Sequence, residues 1–167
     1  MAEEVSQREK RLTMSVLMTP DKANFSGNVH GGEMLKALDE VAYACASRYC
    51  GNYVVTLSVD QVVFKQPVRI GELVTFLATV NFTGRTSLEV GVKVVAENIQ
   101  ARSCRHTNSC FFTMVAIDAD GKPVPVEPVV LDTPEDRRRH EAAKRRREFR
   151  REIQQRNDVI RESCEGC

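Results

Sequence analysis

Tryptophan is missing from this chain of 167 residues, and Tyr and Phe number only 3 and 7. Histidine is equally scarce: His30, His106 and His140 are the whole supply. No apolar run approaches the roughly 20 residues that a helix needs to span a bilayer. The first ten residues are charged and lack the apolar core of a signal segment. The expectation is a soluble, cytoplasmic protein with no membrane partner.

Missing patterns also remove reaction classes. There is no Gly-x-Ser-x-Gly elbow for a Ser-His-Asp hydrolase. No cysteine has a marked histidine partner. Cys164 and Cys167 form a C-x-x-C pair, but no second pair and no His-x-x-x-His completes a zinc site. No metal is therefore expected, and the pair is read as part of the tail. Cys45, Cys50 and Cys110 fall inside apolar patterns, where cysteine packs as a small hydrophobe. A disulfide framework is not expected.

Charge is abundant and unevenly placed. Lys+Arg number 24 against 23 Asp+Glu, a net of +1. Residues 137–151 hold nine basic residues against Glu141 and Glu148, a net of +7, which leaves −6 for the rest. A mildly acidic domain thus ends in a basic segment. Arg clusters can contact nucleic-acid phosphates, yet this one has a single aromatic, Phe149, for stacking. A solvated helix is expected there, and nucleic acid is not expected as a partner.

The length suits one domain. Residues 12–18 alternate as a short first strand, and residues 24–28 form a loop rich in turn formers. Met34, Leu35, Leu38, Val41, Ala42, Cys45, Ala46 and Tyr49 then recur at helical spacing until Gly51-Asn52. After that the period becomes two. Residues 53–65 place Val55, Leu57 and Val59 opposite Thr56, Ser58 and Asp60, with a parity change before Val62 that suggests a bulge. Residues 73–82, 87–96 and 106–117 alternate as three further strands. Pro123, Pro125 and Pro128 make an extended exit, and Pro134 opens a charged helix. The boundaries are an extension over 1–11, a domain over 12–132 and a basic helix and tail over 133–167. So apolar a helix must be enclosed, and one sheet cannot cover every side. The fold class is α+β, an antiparallel sheet wrapped around a central helix, and the chain is expected to dimerise.

Residues 23–40, with Asn24, Gly27, Gly31-Gly32, Leu35, Asp39 and Glu40, resemble the signature of hotdog acyl-CoA thioesterases. The group includes YciA-type enzymes and the brain-type cytosolic acyl-CoA hydrolases. Val62-x-Phe64-Lys65-x-Pro67 with Gly71, Gly84-Arg85-Thr86-Ser87 and Phe112-Thr113-x-Val115-Ala116 extend the likeness over residues 14–130. The basic tail is outside it. The resemblance implies a hydrolase that splits acyl-CoA into fatty acid and coenzyme A, with no cofactor beyond the substrate's own coenzyme A. It also implies assembly into trimers of dimers.

Asp39 falls at the margin of the apolar helix face, where partial desolvation would suit a general base that activates water. Direct attack by Asp39 to form an anhydride is the other route. A buried, fully bonded Asp is the structural alternative. Asn24 could donate to an oxyanion or serve only as a turn residue. At His30-Gly31-Gly32, the glycines admit close approach and the Gly32 N–H could polarise a carbonyl, with His30 as hydrogen-bonding group or cap. Arg85, Thr86 and Ser87 are placed by the resemblance near the coenzyme A phosphates, a role that suits Arg, or else form a surface turn. Thr56, Ser58 and Lys65 are assigned to the same groove. A catalytically silent module that binds coenzyme A or a nucleotide, and a nucleic-acid scaffold, are the readings from other classes.

Overall fold

A computed structural model describes residues 8–164, with side chains through residue 161. The chain divides into two units, one running through Val129 and the other from Val130 onward.

In the first unit five strands flank one long helix: β1 (Arg11–Leu17), α1 (Gly31–Cys50), β2 (Tyr53–Val59), β3 (Leu73–Thr83), β4 (Ser87–Asn98) and β5 (Ser103–Ile117). A 3-10 turn (Pro20–Lys22) lies between β1 and α1. The sheet order is β1-β3-β4-β5-β2, antiparallel throughout. This is the expected hotdog arrangement. His30 caps the helix start, and Gly51 ends it in the left-handed region at φ 71°, which a residue without Cβ adopts at no steric cost. Met34, Leu38, Val41, Ala42, Cys45, Ala46 and Tyr49 are buried along one face of α1. Opposite them lie Val74, Phe76, Leu88, Val90, Val92, Phe112 and Met114. Each large side chain so buried contributes about 1.5–3 kcal/mol.

Two expectations need correction. Leu35 is 43% exposed, so it leaves the buried face. The strand expected over 53–65 ends at Val59, its bulge falls between Thr56 and Ser58, and residues 60–65 leave the regular sheet. Its apolar side also faces the other way. Val54 pairs with Ala116 and Thr56 with Met114, both inward-facing residues of β5, and directly paired residues share a face. Val55, Leu57 and Val59 are therefore exposed along an edge strand. The pairing partner decided the face, and alternation alone could not.

The second unit is α2 (Pro134–Cys164). Thr133 and Asp136 cap it reciprocally, each side chain accepting the other's backbone N–H at 3.1 Å. Glu135 and Glu141 pair with Arg139 and Lys144 at 2.9 Å. The Cys164–Cys167 pair lies outside the side chains described.

Candidate active site

Four-residue spacing on α1 aligns Leu35, Asp39 and Tyr43 on a partly exposed flank beside the buried stripe, with Asp39 three residues from buried Ala42. Leu35 and Tyr43 are 43% and 38% exposed, and Asp39 is exposed between them. The desolvation expected of Asp39 is thus not supplied within one chain, because the sheet covers only one side of α1. What the chain does supply is a short hydrogen bond: Thr56 Oγ1 donates to Asp39 Oδ1 at 2.6 Å. The Thr56–Met114 register brings that hydroxyl to the helix. Thr56, expected in the coenzyme A groove, holds one oxygen of the carboxylate and leaves the other to accept from a substrate or water.

Asn24 sits in a tight turn. Its Oδ1 accepts from Ser26 N at 2.9 Å, Ser26 Oγ at 2.8 Å and Asn28 N at 3.1 Å. Its backbone N–H donates to Asn28 O at 2.7 Å, and Gly27 takes φ +80° to close the turn. Oδ1 thus organises the loop, as the turn reading expects, and the orientation so imposed leaves Nδ2 as the side chain's donor. His30 Nδ1 accepts the Gly32 N–H at 2.9 Å. That N–H, expected to face a carbonyl, is committed to the helix cap, which satisfies one of the orphan donors of the first turn. Phe64 lies 3.8 Å from the place a Cβ would occupy on Gly31.

The remaining candidates are split by the topology. Gly84 N donates to Ser87 O at 2.7 Å, forming the β3–β4 turn on which Arg85 is exposed. Ser87 pairs with Val115, itself opposite Val55, in the row next to Leu88, Met114 and Thr56. Arg85, Thr86 and Ser87 thus share the Asp39–Thr56 end of the sheet. Asn24 belongs to the other end, where Val29 N donates to Val68 O at 2.8 Å and Gly71 N to Met18 O at 2.7 Å. Between the two ends runs β3, about 33 Å long at 3.3 Å per residue. Asp39 also lies ~13 Å along α1 from the His30 cap at 1.5 Å per residue. One chain does not bring Asn24 and Asp39 together by any bond it makes. Ser58 is half-buried beside the bulge, and Lys65 is exposed in the segment after β2.

Sequence reasoning missed the buried polar residues, of which Glu72 stands nearest the Asn24 loop. Glu72 is 3% exposed and receives Arg105 in a two-pronged grip, Nη1 to Oε1 at 2.6 Å and Nη2 to Oε2 at 2.7 Å. Its Oε2 also accepts the Arg69 N–H at 2.9 Å, while Arg105 Nη2 reaches Pro67 O at 2.7 Å. The Arg105 guanidinium holds the Glu72 carboxyl below the ordinary carboxylate range. Nothing in the local pattern signals this, since a charged residue at a strand start ordinarily faces water.

Two of the cysteines are held as thiols by the core. Burial pushes the Cys45 and Cys110 thiols up to about 12, so both stay protonated at neutral pH. Among the described residues no three His, Cys, Asp or Glu side chains group to hold a metal ion.

The thioesterase superfamily pattern matches residues 26–102. An acyl-CoA thioesterase crystallised as a hexamer is 37% identical, covering 86% of this chain and 92% of that one, with a TM-score of 0.83. The chain belongs to the acyl-CoA thioesterase family. Protein VdlD of Helicobacter pylori is 51% identical over 140 residues, 84% of this chain and 80% of its own. The cytosolic acyl coenzyme A thioester hydrolase of Rattus norvegicus is 36% identical over 78% of this chain, but the match spans only 35% of that longer protein. A Staphylococcus aureus acyl-CoA hydrolase, solved with butyryl coenzyme A and coenzyme A, is 26% identical over 92% of this chain and 94% of its own, with a TM-score of 0.82. It has also been solved as separate alanine variants of an aspartate, an asparagine and a threonine. No helix of the described residues is long and apolar enough to cross a membrane.

Proposed function

We propose that this thioesterase hydrolyses acyl-CoA to a fatty acid and coenzyme A, with Asp39 as general base. The observation that carries the assignment is the 2.6 Å bond from Thr56 to Asp39 on the uncovered face of α1. A carboxylate oriented by one hydroxyl has its second oxygen placed to take a proton from water. The water oxygen forms a bond to the thioester carbonyl carbon, and the oxyanion that develops accepts from Asn24 Nδ2. Collapse breaks the carbon–sulfur bond, and the proton held by Asp39 passes to the coenzyme A thiolate. Atoms and charge balance without a cofactor.

The S. aureus enzyme supports the choice of residues. Its asparagine, aspartate and threonine replaced by alanine follow one another at intervals of 15 and 17 residues, and Asn24, Asp39 and Thr56 repeat those intervals. The site is completed by a second copy, whose Asn24 loop comes to the uncovered face of α1; two relatives are hexamers. Arg85 and Lys65 offer cations to the coenzyme A phosphates, with Ser58, Thr86 and Ser87 as hydroxyl donors. Cytoplasmic residence is proposed from the rat relative.

Thiol release from acetyl-, octanoyl- and palmitoyl-CoA tests the reading. The wild-type oligomer should release coenzyme A from at least one, and Asp39→Asn, which keeps the shape but cannot take the proton, should not. Near-native turnover by Asp39→Asn would remove Asp39 as the base. No thiol release by the wild type would leave a silent binding module.

A further inference from the structure

The loop that carries Asn24 is not held by its own turn alone. Val29 N donates to Val68 O at 2.8 Å, and Asn28 pairs with Arg69 as an isolated bridge. The outer side of the Asn24 turn is thus laid against residues 68–69. Those residues follow an irregular segment and belong to no strand, so something else must fix them. That anchor is the carboxylate of Glu72. It accepts the Arg69 N–H at 2.9 Å and is gripped by Arg105 of β5, whose second nitrogen also takes Pro67 O at 2.7 Å. Glu72 is in turn tied to Met18, the residue that follows β1, its carbonyl accepting from Met18 N at 2.9 Å.

Three links therefore run from the ion pair to the amide: Glu72 to Arg69, Arg69 to Asn28, and Asn28 N to Asn24 Oδ1 at 3.1 Å. We infer that Glu72 and Arg105 are positioning residues, a clamp whose function is to set Asn24 Nδ2 at the distance a developing oxyanion requires. The inference rests on the reading of Asn24 as the oxyanion donor. A donor misplaced by about 1 Å can forfeit around 10²-fold in rate while the substrate still binds. The signature is a fall in kcat with KM little changed, and an effect that disappears once Asn24 is gone.

The experiment measures thiol release by the full-length oligomer for Glu72→Gln, Arg105→Lys, Asn24→Ala and the two doubles with Asn24→Ala. Gln keeps an acceptor for Arg69 but gives up the charged grip, and Lys cannot make the two-pronged contact. Circular dichroism at the assay temperature confirms folding, and either clamp variant suffices if the other fails to fold. Glu72→Gln and Arg105→Lys should each lower kcat about tenfold or more with KM within about twofold. Neither should slow the enzyme further in the Asn24→Ala background, since residues acting through one group are not additive. Multiplying effects in the doubles, or unchanged kcat in the folded single variants, would overturn the clamp alone. Unchanged turnover in Asn24→Ala would remove Asn24 as the donor and the clamp with it.

Discussion

A base that must take a proton from water works only when its lone pair is aimed, and for the proposed base Asp39 the hydroxyl of Thr56 supplies that aim. Without the 2.6 Å bond, Asp39 stands on an exposed helix face with its rotamers free. Thr56→Ala should lower kcat by roughly 10²-fold, the cost of a misplaced catalytic group, and Thr56→Ser should recover most of it. Steady-state thiol release distinguishes the two variants. Glu72 acts by a different principle, and pH exposes it. Its carboxyl ionises below the usual 4.5 because the Arg105 guanidinium stabilises the charged form. A carboxyl depressed in the folded state adds stability above its unfolded pKa and loses it as pH falls through the folded value. Glu72→Gln should therefore be less stable than wild type at pH 7 by about 1.5–3 kcal/mol. Denaturant unfolding at a series of pH values should show the gap closing below about 4.5.

At the scale of elements, helix ends do more than terminate α1. His30 spends its Nδ1 on the Gly32 N–H, so that donor of the first turn is satisfied within the chain. His30→Ala should cost about 0.5–2 kcal/mol, the usual loss of a cap, in thermal unfolding. It should leave turnover near wild type. A large drop in turnover from a folded His30→Ala protein would instead return that first turn to the substrate. The α2 cap shows how element boundaries become visible in retrospect. Pro134 marks the start by itself, but the Thr133–Asp136 exchange is recognisable only once those two residues are known to flank a helix start.

The proposed site is completed only at the scale of the whole molecule. Asp39, Thr56 and the Gly84 turn share one end of the sheet, and the Asn24 loop stands at the other. Two copies can pair so that each loop meets the other's α1 across the uncovered Leu35–Asp39–Tyr43 face. Mixing Asp39→Ala with Asn24→Ala chains under subunit exchange should then restore about one quarter of wild-type turnover, because half the pairs are mixed and each has one intact site. Failure to restore any, with exchange demonstrated by labelled subunits, would place both residues of a site in one chain.

The sequence by itself determined the element order, most of the buried stripe of α1 and the alternation of β3, β4 and β5. Those follow from periodicity, a local property that any correct fold must satisfy. The Asn24, Asp39 and Gly-Gly frame was legible as a family signature because these residues stand at fixed spacings along one segment. Three things were decided only by tertiary structure. The face of β2 was set by its register with β5, which no residue of β2 specifies alone. The Thr56–Asp39 and Glu72–Arg105 contacts join positions 17 and 33 residues apart, beyond the reach of any local pattern. The exposure of Asp39 followed from a geometric limit: one sheet can wrap only one side of a helix.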